Sequence, residues 1–424
     1  MVIRWRFVCH VALSLALSVA VGCGRVSEPQ GGDAGADVDS GGGCEACAFG
    51  CASDGASCAD LLPSNGLSVA LERAAQQQVL SVPGGATMHF DTDEGRFECE
   101  PTFACDIEDS AFVVVEQSDG VDIAAFVFAS LTIESGAVVT ASGERALALV
   151  ADSDIRIDGT LDLRPFEVGV SAPSRGVGSR PAEPATNGEF VDDGEQTTGS
   201  GGGGGPGGPG AQGGAARASG GTSVPGSAAG SSVDVPDLTP LVGGRAGGLT
   251  EGGACNDLAG GGGGAVQIVS RTDIIIGEDG VINAGGGGAR GTFCSGSQVG
   301  GGGGGGAILL EAAVVRLHGV TAANGGGGGS RHAGRSSPGE SGRADTVAAQ
   351  GAPGDDGPPG GNGAARTSAP TEGGSADTEN LSGGGGGGGI GAIRVHTAHA
   401  AGLRIGTAHL SSPSISEGAA STRD

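Results

Sequence analysis

The sequence predicts an all-β protein, a parallel β-helix or β-solenoid carrying long glycine-rich insertions, preceded by a signal peptide and a small cysteine-rich segment. Three observations predict it. First, between Gly260 and Gly288 two glycine runs enclose about twenty residues with three short apolar runs, Ala265 to Val269, Ile274 to Ile276 and Val281 to Asn283. Arg271-Thr272-Asp273 and Gly277-Glu278-Asp279-Gly280 separate these runs with turn-forming residues. Second, the pattern recurs: ALAL, AVQI, AILL and AIRV open at Ala146, Ala265, Ala307 and Ala392. Second strands follow at Ile155 to Ile157, Ile274 to Ile276, Val315 to Leu317 and Leu403 to Ile405. Third strands repeat more loosely at Thr160-Leu161, Val281 to Asn283, Val320 to Ala322 and Thr407 to His409. Agreement in three successive strands is the mark of an internal repeat. Third, 92 of 424 residues are glycine and only 3% are aromatic, which suits a thin stacked core and no large mixed α/β core.

The chain begins with export. Arg4 and Arg6 precede an apolar stretch, Phe7 to Val21, that is too short to span a bilayer and reads as a signal peptide over residues 1–22. Ala20-Val21-Gly22-Cys23 resembles a bacterial lipobox, with alanine in place of the usual leucine, so cleavage before Cys23 would leave that cysteine as the lipidated terminus. The competing reading is ordinary cleavage after Ser18-Val19-Ala20. Parity favours lipidation. Once Cys9 leaves with the signal and Cys23 takes lipid, eight cysteines remain, Cys44, Cys47, Cys51, Cys58, Cys99, Cys105, Cys255 and Cys294, and in an oxidising compartment all eight can pair as disulfides.

Residues 23–43 are small, acidic and without periodicity, and read as a flexible tether. Residues 44–60 hold four closely spaced cysteines, a disulfide-stapled segment for which four-thiolate zinc binding is the alternative. In residues 61–86, Leu67 to Leu80 has helical spacing and would cap an open end of the stack; the alternative places Val69 and Val79 in strands. Residues 87–165 supply the first strand layers, including Phe126 to Phe128, Leu131 to Ile133 and Val138-Val139. A Gly/Pro/Ser-rich insertion fills 166–259, further layers with polyglycine insertions fill 260–410, and 411–424 is a polar tail. The insertions follow each third strand at one point of the repeat. Fixing a glycine costs up to ~1 kcal/mol more than fixing alanine, so the runs are either flexible surface loops or extended layers held by dense backbone pairing. Cys255 and Cys294, in successive insertions, would staple two of them together.

The 22 basic residues are all arginine and face 48 acids, a formal charge of -26. Such a balance argues against a nucleic-acid partner, although a GC-rich coding sequence also yields this composition. Asp152, Asp154, Asp158 and Asp162, with Arg156 and Arg164, form the densest charged group of the strand region. If Ile155 and Ile157 point inward, Asp154, Arg156 and Asp158 face out together; the readings are paired carboxylates of a polysaccharide-cleaving site or a face of ordinary salt bridges. Asp91, Asp93 and Glu94 read as an acidic turn before a calcium loop, and Asp33, Asp37 and Asp39 as solvated linker. His396, His399 and His409 read as surface residues near the last layer. Without lysine the chain cannot form a GxxxxGK[ST] phosphate loop, and no serine has the context of a nucleophile elbow. No catalytic residue, metal site or cofactor is expected.

The lipobox, FDTDEG, AAFVFASLTIESGAVV, DIRIDGTLDL and the alternation of GGGGAVQIV/VINAGGGG with GGGGAILLE/TAANGGGG together resemble the glycine-rich predicted surface lipoproteins of GC-rich Gram-negative bacteria. The resemblance covers about 87–410 apart from the insertions. It implies an exported repetitive β protein and no activity. The expectation is a non-enzymatic outer-membrane lipoprotein, facing the periplasm or the surface, with a structural or adhesive role. Its partners would be the membrane, through the lipid, and polysaccharide or other envelope proteins. A carbohydrate-active β-helix enzyme and a calcium-dependent glycan-binding module are the alternatives.

Overall fold

Apolar alternation in the repeats resolves into three large sheets in the computed structural model, which describes residues 47–54, 56–101, 112–118, 121–165, 175–191, 196–249, 259–291, 299–332, 335–354, 357–379, 381–406, 409–410 and 415–423. Each sheet collects the equivalent strand of successive repeats. The first-strand sheet runs Phe112–Val115, Ile123–Phe128, Ala146–Ala151, Ala265–Ser270, Ala307–Ala312, Ala392–Thr397 and Ile415–Ala419. The second-strand sheet runs Val79–Val82, Ser130–Ile133, Ile155–Ile157, Asp273–Ile276, Val314–Leu317 and Leu403–Ile405. The third-strand sheet runs Arg96–Glu100, Thr87–Asp91, Val138–Ser142, Thr160–Asp162, Val281–Asn283, Val320–Ala322 and His409–Leu410.

The alignment of first and second strands is borne out residue by residue. Ala265 pairs with Ala307 and Ala307 with Ala392, while Ile155 pairs with Ile274 and Val315 with Leu403. One correction concerns the last third strand, where Val320 pairs with His409 and not with Thr407. A one-residue slip would move every apolar side chain to the opposite face; the two-residue offset keeps the faces, so the pattern alone could not detect it.

The expected parallel β-helix or β-solenoid is corrected. The chain is mostly β, but its strands form several mixed and parallel sheets and no closed solenoid. Two of the large sheets end in antiparallel pairs, Thr87–Asp91 with Arg96–Glu100 and Phe112–Val115 with Ile123–Phe128, and four further sheets are two-stranded antiparallel pairs. The physical cause lies in the connections. In the later repeats, a third strand leads into polyglycine legs that bond mainly to one another and enter no large sheet. Three-strand periodicity therefore predicts equivalent pairing but not continuous winding.

Those legs are packed layers, the second of the two readings. Donors along Gly301 to Gly306 reach, in turn, Gly248, Gly386, Gly287, Arg245, Gly389 and Ala284, all at 2.8–3.1 Å. The same neighbour returns every third residue, the signature of an extended helix with three residues per turn and no internal hydrogen bonds. A Cβ on Gly303 would sit 1.9 Å from the Gly261 carbonyl oxygen. Close approach of backbones, with every partner supplied by another leg, offsets the entropy of ordering glycine.

The inner strands of the first-strand sheet, Ile123–Phe128, Ala146–Ala151, Ala265–Ser270 and Ala307–Ala312, are buried on both faces. Phe126, Leu149, Ile268, Leu310 and Val395 point into the core shared with the other two sheets, whereas Ala125, Val127, Ala148, Val269 and Leu309 meet a second cluster. That cluster contains Leu67, which caps the helix Ser68–Ala74, Leu71 and Ala74 within it, and Val233, Val235, Leu238, Leu241 and Val242 of the long insertion. Unbroken burial on both faces explains runs such as IAAFVF and ALALVA. The helix is shorter than its periodicity suggested, because Val79–Val82 is a strand, and it packs on the strands Ile123–Phe128 and Ala146–Ala151. Within the segment read as a polar tail, Ile415–Ala419 extends the first-strand sheet and Ser421–Arg423 pairs with Asp60–Leu62. Among the described residues, no helix is long and apolar enough to cross a membrane.

Candidate functional site

The alternation rule holds on the second-strand sheet: Ile155 and Ile157 are buried, and Arg156 between them is exposed. Extending the register outward gives one solvent-facing row across the sheet, Ser81, Thr132, Arg156, Ile275, Arg316 and Arg404. Ile275 is the short apolar member between two arginines. Adjacent strands lie about 4.8 Å apart, so its neighbours' rows are about 9.5 Å from each other across it. Just past the strand Asp273–Ile276 is Gly277, where a Cβ would meet Asp158 Oδ1 at 1.8 Å, so the Asp158 carboxylate lies over that position. The row is thus recessed at Ile275, and a groove of about 620 Å³ opens there, with Gly277 in its lining.

Ion pairs build its walls. Arg156 holds Asp158 through Nε at 2.5 Å and a second nitrogen at 2.8 Å, a bidentate pair leaning over Gly277. Arg316 pairs with Asp273 at the other end of the recessed strand. Glu278 and Asp279 rim the groove, with Ser135 donating to Asp279 at 3.3 Å, and His318 lines the far side. Fixed guanidinium and carboxylate edges give the groove donors and acceptors of defined direction.

The four predicted acids are not brought to one point. Asp158 lines the groove; Asp152 is taken by Arg271, Asp154 accepts from the Thr272 hydroxyl at 2.5 Å, and Asp162 is held by Arg164 at 2.7 and 2.9 Å. The Asp162 hydrogen bond raises the pKa of Arg164. This is the salt-bridge face of the two readings. The Asp91, Asp93 and Glu94 segment is a turn: Asp91 accepts from the Asp93 and Glu94 amides at 2.9 Å, and Glu94 pairs with Arg96.

Cys47 and Cys58 form a disulfide, and Cys51 and Cys99 are also disulfide-bonded, which removes the four-thiolate zinc alternative. Cys23, Cys44, Cys105, Cys255 and Cys294, and Asp33, Asp37 and Asp39, lie outside the described residues. Near the staple, Arg271 and Arg423 converge on Asp60 at 3.0–3.2 Å. Burial pushes the Asp60 carboxyl upward, but these arginines outweigh it and hold it below its usual value.

Sequence reasoning missed a buried polar centre. Glu311, 1% exposed, accepts from the Ser64 hydroxyl at 2.7 Å, the Ser64 amide at 3.1 Å and Gln267 Nε2 at 2.5 Å. His396 is buried here and not on the surface: Nδ1 donates to Glu311 at 2.9 Å, while Nε2 accepts from Arg394 at 2.8 Å. Serine, glutamate and histidine meet, but the hydroxyl binds the carboxylate and not the imidazole, so no base addresses it as a nucleophile requires. The centre instead fastens the turn before the helix to the first-strand sheet. Its one signal was Glu311 inside an apolar run, paired in register with His396. His399 is exposed.

A larger cleft, about 780 Å³, opens between Gly208–Gln212 and Ala364–Pro370, walled mostly by backbone and small side chains, with Arg366 and Glu372 supplying its charges. Comparison with protein-family models, curated proteins and solved structures finds no match to this chain.

Proposed function

We propose that the protein is an exported, lipid-anchored envelope protein with a structural or adhesive role and no catalytic activity. Arg4, Arg6, the apolar stretch and Cys23 support the export and anchoring parts of this reading. The observation that carries the non-catalytic part is the engagement of the acidic cluster: Asp152, Asp158 and Asp162 are each locked by an arginine and Asp154 by Thr272. Glycoside cleavage needs two carboxyl groups facing one bond, and carboxylates each engaged by a different neighbour are not aimed together at one. An acidic chain with ordered polyglycine layers serves better as a rigid display surface.

A whole-cell and glycan binding screen with the exported chain lacking its lipid tests the role. Binding to cells or polysaccharide without release of reducing ends is expected. Cleavage that disappears in Asp154→Asn or Asp158→Asn would instead establish an enzyme. Replacing Cys23 with alanine should abolish incorporation of labelled fatty acid, and protease added to intact cells distinguishes surface from periplasmic exposure.

A further inference from the structure

We infer that the groove over Ile275 is a binding site for a neutral, polyhydroxylated glycan; this rests on the adhesive reading above and deepens it. The register creates the site. In the row Thr132, Arg156, Ile275, Arg316, Arg404, long side chains flank one short apolar residue, while at Gly277 the space a side chain would take is held by the Asp158 carboxylate, so the recess centres on Ile275. The recess is therefore one strand wide, about 9.5 Å between the flanking rows, which leaves space for one sugar ring between the side chains.

The lining chemistry selects among ligands. Ile275 offers a small apolar floor for the C–H face of a ring. Arg156 with Asp158 and Arg316 with Asp273 present donors and acceptors already oriented by their own pairing, so a hydroxyl can be met without ordering flexible chains on binding. Two arginines against the lining carboxylates Glu134, Asp158, Glu278 and Asp279, with Asp273 beside Arg316, leave the groove net negative within a chain of -26. Uronate, sulfate and phosphate groups are repelled by that field. That field would attract a strongly basic peptide, but such a peptide finds no side-chain pocket beyond the isoleucine floor.

The decisive variant is Ile275→Arg. Arginine already occupies the equivalent register position in three other repeats, at Arg156, Arg316 and Arg404, so the fold accommodates it while the recess is filled. The full exported chain, Ile275→Arg and the conservative Ile275→Val are passed over immobilised neutral hexose oligosaccharides, uronate-containing and sulfated oligosaccharides, and an arginine-rich peptide. Unfolding midpoints are measured alongside. The inference expects the parent and Ile275→Val to bind a neutral oligosaccharide, and Ile275→Arg to lose about tenfold or more in affinity with an unchanged midpoint. Equal binding by Ile275→Arg overturns the groove as the site and leaves an adhesive protein that binds elsewhere. Binding only to acidic glycans or to the peptide, or to no glycan while whole cells are still bound, overturns the ligand class. Failure to bind cells as well as glycans counts against the adhesive reading itself.

Discussion

Replacing Gly303 with alanine tests whether the polyglycine legs are a packed solid. The new Cβ would lie 1.9 Å from the Gly261 carbonyl oxygen and 2.5 Å from its carbon, whereas ordinary contact begins at 3.4 Å. One leg must therefore move by about 1.5 Å, the difference between those distances. Gly261 accepts from Gly287 at 2.8 Å, Gly287 accepts from Gly303 at 2.9 Å, and Gly326 donates to Gly303 at 2.8 Å, so the shift cannot be absorbed without breaking at least one of these bonds. A buried backbone group left unpaired costs about 1–3 kcal/mol and overpacking about as much again, for a loss of about 2–6 kcal/mol. Gly220 is the control. Nothing lies within 4 Å of its Cβ position, so alanine there should be neutral or stabilise by about 0.4–1 kcal/mol through the unfolded chain. Urea unfolding of both variants, with amide exchange along residues 301–306, gives the comparison. If Gly303→Ala costs no more than Gly220→Ala and those amides exchange freely, the packed layers do not exist.

Further predictions concern the core, the buried centre, the acid limb and the staple. Ile268→Ala should cost about 2–5 kcal/mol in urea unfolding, while Arg156→Ala, on an exposed pair, should cost under about 1 kcal/mol; similar values would place Ile268 outside a packed core. Glu311→Ala strands Ser64, Gln267 and His396 donors in a buried site and should cost about 3–5 kcal/mol, with faster amide exchange around residues 64–71; a change confined to exposed loops would contradict the fastening role. Because the Asp60 pKa is depressed in the folded state, its contribution is complete above the unfolded carboxylate value of about 4 and is lost as pH falls through the lower folded value. The stability difference between the parent and Asp60→Asn should accordingly shrink below about pH 4, and a difference constant with pH would exclude this role. Removing the Cys47–Cys58 bridge, which spans 11 residues, should cost about 3 kcal/mol by loop entropy, read as earlier melting of the N-terminal described segment.

Most of the strand layout was legible because it depends on local alternation. Ile155 and Ile157 flank a charged residue, and Ile274 and Ile276 repeat the spacing, so sequence correctly separated inward from outward positions. The groove followed less directly. Its walls come from Arg156 and Arg316, 160 residues apart in the chain, and its depth comes from Ile275 being short between them; only pairing in register converts those separate facts into a recess. Glu311 and His396 were opaque for the same reason, since nothing local tells a strand residue whether the outer face of its sheet meets water or a helix.

By itself, then, the sequence determined the strands of the repeats, how the first and second strands align and which side of each second strand faces solvent, because period-two burial acts over a few residues. Tertiary structure decided how those strands are joined. Backbone donors along Gly301 to Gly306 carry no side-chain signal of where they bond, and three different legs answer them in rotation. Glycine records only that a close neighbour is permitted; the identity of that neighbour, and with it the replacement of a closed solenoid by separate sheets and polyglycine layers, is set when distant segments meet.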